Sequence, residues 1–181
     1  MTIDPTTAVT FFVPGRPAPQ GSKKHVGGGR MVETSPYLKR WRAAVTTTAQ
    51  VVVPAAWDTT APMTAEVIFY LPRPKKHYGA GRNADLLCGD APDLHTCRPD
   101  VDKLLRAVLD GCTGVLWGDD SQIVTVHGWK AWASPSPDAA GARVTATLLS
   151  PGPGACCWAC DGTGRVRDTP CMACDGTGRR P

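Results

Sequence analysis

Arg98-Pro-Asp-Val-Asp-Lys-Leu-Leu-Arg-Ala-Val-Leu-Asp110 is followed closely by Trp117-Gly-Asp-Asp-Ser-Gln-Ile123. Val101, Leu104, Leu105, Val108 and Leu109 of the first run fall on one stripe at helical spacing. That stripe predicts a helix ending at Gly111, with Asp100 or Asp102 as its N-cap. The second run predicts a turn that carries Asp119 and Asp120 into a strand over residues 122–130. A helix start and a strand start thus bring four carboxylates into play. Mg²⁺ takes oxygen ligands and keeps several waters, so one or two carboxylates per ion suffice. Asp100 and Asp102 can face one pocket, with Asp119 or Asp120 completing it across the sheet. Capping explains either acid of the first pair equally well, and Asp-Asp is common in turns. Asp110 stands late in the helix, at the unfavourable end of the macrodipole. It reads as an ion-pair partner, as outer support of the site, or simply as a solvated acid.

Upstream, residues 8–14 are rich in β-branched and aromatic residues and stop at Pro-Gly, a first strand. A loop punctuated by Pro and Gly then carries Lys23, Lys24 and Arg30. Ser35-Pro36 opens a helix, with Leu38, Trp41, Val45 and Ala49 on its core stripe and an end near Val52 before Pro54. Trp41 is read as core rather than as a base-stacking residue. Residues 63–71 alternate Ala65, Val67, Phe69 and Leu71 against Thr64, Glu66, Ile68 and Tyr70, a second strand. Residues 72–98 are too long for a plain connection in a compact domain, and they carry Arg73, Lys75, Lys76 and Arg82. Cys88 and Cys97, in this loop, have no metal-like spacing and read as thiols. Residues 142–149 form a last strand, expected to make a hairpin with residues 122–130. The order β-α-β-α-β-β predicts an α+β domain over residues 8–150: a mixed sheet with helices on one face.

The whole chain has 181 residues, 42% of them hydrophobic, and a formal charge of +4. That fits one domain and a small appendage. Lys and Arg concentrate in 16–42 and 73–82, around the acidic stretch, which suits a polyanion bridged by metal. No run approaches the roughly 18 apolar residues of a membrane span, and the first residues lack the features of a secretion signal. A reducing cytoplasmic setting follows, in which eight cysteines favour metal over disulfides.

Arg98-Pro-Asp-Val-Asp-Lys-Leu-Leu-Arg-Ala-Val-Leu-Asp-Gly, then Gly114-Val-Leu-Trp-Gly-Asp-Asp-Ser-Gln-Ile, then Lys130, resembles the RusA-type Holliday junction resolvase family. The opening Phe12-Val-Pro-Gly-Arg-Pro-Ala-Pro-Gln-Gly-Ser-Lys23 is similar to versions carried by phages of actinobacteria. The similarity covers roughly residues 10–149. It implies a Mg²⁺-dependent endonuclease, active as a homodimer, that cuts four-way DNA junctions in the host cell of a phage. It also implies that Asp100, Asp102 and Asp120 bind the metal, with Asp119 beside them. The family commonly has a catalytic Lys four positions after the second Asp. This chain has Arg106, which can stabilise charge but does not readily give up a proton. Lys103 or Lys130 can also supply a cation. Lys23, Lys24, Arg30, Arg73, Lys75, Lys76, Arg82 and Lys130 form the expected DNA-binding set.

Beyond a Pro-Gly-Pro-Gly linker, residues 151–181 hold an internal repeat. Cys157-Trp-Ala-Cys160-Asp-Gly-Thr-Gly164 is echoed by Cys171-Met-Ala-Cys174-Asp-Gly-Thr-Gly178. It resembles the zinc-binding repeats of DnaJ-type chaperones. Four thiolates from Cys157, Cys160, Cys171 and Cys174 suit tetrahedral structural Zn²⁺, against a redox dithiol or a pair of disulfides. The module is expected to contact DNA through Arg165, Arg167, Arg179 and Arg180, to bind a partner protein, or to act as a structural clip. The alternative to an enzyme is a non-catalytic branched-DNA-binding protein with a zinc-dependent adaptor tail.

Overall fold

A computed structural model of the chain describes residues 7–21, 24–25, 31–32, 36–136, 139–149, 159–160, 163–166 and 168–179. The expected DNA contacts Lys23 and Arg30, the side chain of Lys24, and the expected ligand Cys157 lie outside what it describes. The chain forms two compact units, Met1–Leu148 and Leu149–Pro181.

The first unit is built on β1 (Ala8–Pro14), β2 (Lys24–His25), β3 (Met31–Val32), α1 (Pro36–Val52), β4 (Met63–Leu71), α2 (Val101–Cys112), β5 (Ile123–Trp132) and β6 (Gly141–Leu148). Four of these strands make one mixed sheet in the order β1-β6-β4-β5. β6 runs antiparallel to both β1 and β4, while β4 and β5 are parallel. A parallel pair needs a crossover of a dozen or more residues, usually with a helix. The segment 72–122, which contains α2, is that crossover.

The expected hairpin between β5 and β6 is not formed, because β4 lies between them. Hairpin loops are commonly two to five residues long, whereas residues 133–140 separate these strands and include Pro135 and Pro137. The inward residues of β6, Ala142, Val144 and Ala146, are all buried. They fill the centre of the sheet opposite Val13, Phe11 and Val9 on one side and Phe69, Val67 and Ala65 on the other. β5 takes the edge instead, with Val124, Val126 and Trp129 exposed.

Both helices pack into the core that this inward face shares with Leu38, Trp41, Val45, Ala49, Leu104, Ala107 and Val108. Gly111 is not the stop of α2, which runs on to Cys112. A Cβ at position 111 would sit 2.9 Å from Cβ of Val45, so the glycine permits the close crossing of α1 and α2. Thr46 Oγ1 donates to Gly111 O at 2.7 Å across the same contact. Gly128 does the equivalent for α2 on β5, since a Cβ there would meet Leu105 Cδ1 at 2.6 Å. The turn itself falls to Gly114, at φ +82°. Asp110 pairs with Arg42 of α1. This half-exposed pair ties the two helices and contributes at most about 1 kcal/mol.

In the second unit, β7 (Arg165–Val166) and β8 (Thr169–Pro170) pair antiparallel. The sequence repeat folds as a repeat. Thr163 Oγ1 donates to Cys160 O at 2.6 Å, and Thr177 Oγ1 donates to Cys174 O at 2.7 Å. Gly164 and Gly178 follow at φ 73° and 72°. A Cβ on Gly164 would lie 2.3 Å from Gly176 O, so only glycine lets the two knuckles approach. Among the described residues, no helix is long and apolar enough to cross a membrane.

Candidate functional site

Asp100 occupies the N-cap position of α2, yet its side chain makes no capping hydrogen bond. Its Oδ2 instead accepts from Lys103 Nζ at 2.8 Å. That hydrogen bond, and then the charge behind it, holds the Asp100 carboxyl below the usual carboxylate range. Asp100 is therefore ionised throughout the neutral range, and cation binding there need not wait for a proton to leave. Asp102 is exposed in the first turn of α2, and Arg106, also exposed, stands one turn below it. Residues four apart share a helix face, so Arg106 borders the same surface. Among the described residues Arg106 is in no ion pair, whereas Lys103 is.

Lys130 projects from the far half of β5 and fixes the approach to these acids. Its Nζ donates to Cys97 O at 2.7 Å and to Pro99 O at 3.0 Å. Two of its three donors are thus engaged, so the residue expected to face DNA holds the chain that presents Asp100. Lys130→Met leaves two carbonyls without their charged donor. With Asp100 as the expected cation ligand, DNA cleavage by this variant is expected to drop about 10- to 100-fold, the usual scale for a residue that orients a metal ligand. DNA affinity is expected to change little. Single-turnover rates and a binding isotherm on the same preparation check both.

Asp119 caps the short 3-10 turn Asp120–Gln122. Its Oδ1 accepts from Ser121 N at 2.9 Å, while Gln122 Oε1 accepts from Asp119 N at 2.9 Å. Its bonds with Ser121 lower the pKa of Asp119. Gln122 Nε2 also reaches Thr59 O at 2.9 Å, anchoring the turn at the start of β4 and β5. Both acids are exposed, but Asp119 is committed as a structural cap, which leaves Asp120 as the uncommitted acid of the pair.

One chain does not gather the four acids. Asp100 stands beside Lys130, near the end of β5, whereas Asp119 and Asp120 precede its first residue. α2 lies between, and its twelve residues span about 18 Å at roughly 1.5 Å each. Among the described residues, no group of three carboxylates or imidazoles comes within metal-binding reach of one another; the cluster that does is Cys160, Cys171 and Cys174.

Of the expected DNA contacts, Lys75 and Lys76 are exposed in a 3-10 turn (Lys75–His77) and Arg82 is exposed in another (Gly81–Asn83). Arg73 is instead built into the loop: it donates to Pro92 O at 2.9 Å and lies 4.9 Å over the Trp132 ring. Trp132, His77 and His95 form a cluster that neither charge nor periodicity disclosed. Its only sequence signal is two histidines in a long loop. Burial holds the pKa of His95 below its ordinary value, so this imidazole is neutral at pH 7.

The model of the family described as endodeoxyribonuclease RusA matches residues 14–140, a span that contains Asp100, Asp102, Arg106, Asp119, Asp120 and Lys130. The chain belongs to the RusA endodeoxyribonuclease family. A comparison with curated proteins finds no match. Membership of this nuclease family implies use of a divalent cation, and the exposed carboxylates of the RusA domain are of the hard-oxygen type such a cation prefers.

In the tail, the sulfurs of Cys160, Cys171 and Cys174 all lie within 4.8 Å of one another and are buried. Cys160 and Cys174 are 3.8 Å apart at sulfur. A tetrahedron with Zn–S bonds of 2.3 Å has edges of roughly 3.8 Å, whereas a disulfide needs about 2.05 Å. These three sulfurs therefore fit a metal. Cys112 stands apart: burial in the core pushes its thiol up to about 12, which removes it as a ligand or nucleophile.

Proposed function

We propose that this protein is a Mg²⁺-dependent endonuclease that resolves four-way and related branched DNA junctions as a homodimer. The observation that carries the reading is the pair of exposed acids at the mouth of α2, inside the span matched by the RusA family. Asp100 and Asp102 from one protomer, with Asp120 from its partner, would hold the cation. The separation of the two acid pairs within a chain supports a site completed by a second copy, and two such sites suit the approximate two-fold symmetry of a junction. The bound cation would neutralise phosphoryl charge and make a water nucleophilic near neutral pH. Lys130 fixes the backbone before Asp100. Asp119 locks the turn that presents Asp120. Arg106 supplies fixed positive charge to the phosphate, and as a guanidinium it acts electrostatically rather than as a proton donor. Lys75, Lys76 and Arg82, with Lys23, Lys24 and Arg30 of the first loop, meet the backbone of the junction arms. The phage setting, in a bacterial cytoplasm, rests on the resemblance carried by residues 12–23.

The direct test is incubation with four-way, three-way and linear DNA in Mg²⁺. Cleavage of the branched forms with linear duplex intact supports the reading. Binding without cleavage under all conditions favours the non-catalytic alternative.

The tail is read as a DnaJ-like zinc module in which Cys157 joins Cys160, Cys171 and Cys174. So short a segment buries little core, so the metal would supply its folding free energy. Metal analysis is expected to find one zinc per chain, lost in Cys171→Ser together with protease resistance of residues 151–181. Cleavage by a chain truncated before residue 151 then separates a clip or adaptor from a part of the nuclease.

A further inference from the structure

A cleft of about 620 Å³ opens beside Asp100, within the roughly 300–1,000 Å³ of small-ligand sites. Its rim carries Arg16 and Arg98 together with Lys103, so cations outnumber the one acid. Its floor is apolar and aromatic, formed by Leu71, Trp132 and several prolines. Trp132 is held rigidly there: Nε1 donates to Pro92 O at 2.9 Å, and the His95 ring lies 4.2 Å from its own. His95 also lines the cleft and is only 8% exposed, so it backs the Trp132 ring as part of the floor.

We infer that this cleft receives one unstacked nucleotide of the branched DNA, adjacent to the phosphate held at Asp100. This rests on the nuclease reading of that acid. The chemistry of the cleft is divided as a nucleotide is. Arg16 and Arg98 meet phosphate oxygens, and the base lies on the apolar floor. A paired duplex cannot enter so small a space. The nucleotide must therefore leave its stack, which is easiest at a branch point where stacking is already interrupted. The cleft thus favours branched over linear DNA by shape.

The test places 2-aminopurine, one position at a time, around the cut site of a four-way junction, with the full-length protein bound in Ca²⁺. Fluorescence is expected to rise several-fold at one position next to the cut. Cys97→Trp, which fills the cleft from an exposed position, is expected to abolish that rise and to slow cleavage in Mg²⁺ at least tenfold. Arg98→Ala, an exposed charge removal, is expected to weaken both in the same direction. A junction that is bound and cut with no brightening at any position overturns the inference and leaves the nuclease reading intact. A rise undiminished in both variants overturns it as well, since the unstacked base then sits elsewhere. If wild-type protein binds the junction but cuts no DNA in Mg²⁺, the nuclease reading fails and the inference falls with it.

Discussion

Asp102→Asn is expected to reduce junction cleavage by about 10³-fold while leaving junction binding intact. The substitution keeps the shape of the side chain and removes one anionic oxygen. Asp102 is exposed on α2, and the buried face of that helix, Leu104, Ala107 and Val108, is untouched, so the fold is not at stake. A metal ligand that stabilises several kcal/mol of charge in the transition state is worth about three decades of rate at roughly 1.4 kcal/mol per decade. Affinity comes instead from cations meeting phosphates, and Lys75, Lys76 and Arg82 stand on a different segment. Single-turnover cleavage and gel-shift titration of the same variant separate the two effects. A near-normal rate would remove Asp102 from the site. Arg106→Lys makes a useful comparison, because it places there the lysine that the family resemblance implies.

The local structure was largely legible. The helix expected to open at Pro36 and to end before Pro54 is α1, Pro36–Val52, and its stripe of Leu38, Trp41, Val45 and Ala49 is buried without exception; the expected cap Ser35 lies outside the described residues. The same holds for β4, whose alternation assigns the inward residues correctly. These features depend on a period read over neighbouring residues. Strand neighbours depend on contacts far apart in sequence. β6 sits between β1 and β4 because its small inward residues fill the sheet centre, and no local signal distinguishes that from a hairpin with β5. Gly111 reads as a helix stop by type, but its role is set by Val45, more than sixty residues away. Lys130 carries the charge of a DNA contact, yet carbonyls of Cys97 and Pro99 claim its ammonium.

The acids were legible as residues but not as an assembly. Their closeness in sequence suggests one pocket, and Asp102 and Asp119 are indeed joined by a short segment. Most of that segment is a rigid helix, however, and a helix carries its two ends apart. The cysteine repeat was the opposite case. The repeat itself points to the cluster, and the described sulfurs of Cys160, Cys171 and Cys174 come within 4.8 Å of one another, a spacing compatible with a metal.

The claim on which the account rests is that Asp100 and Asp102 of one protomer work with Asp120 of its partner. Asp102→Asn and Asp120→Asn homodimers are both expected to be inactive. In a heterodimer of the two, isolated by a different tag on each chain, one site collects both substitutions and the other collects neither. Nicking of a four-way junction should then return to about half the wild-type rate, one intact site of two. A heterodimer as inactive as its parents would place all three acids in one chain and contradict the account.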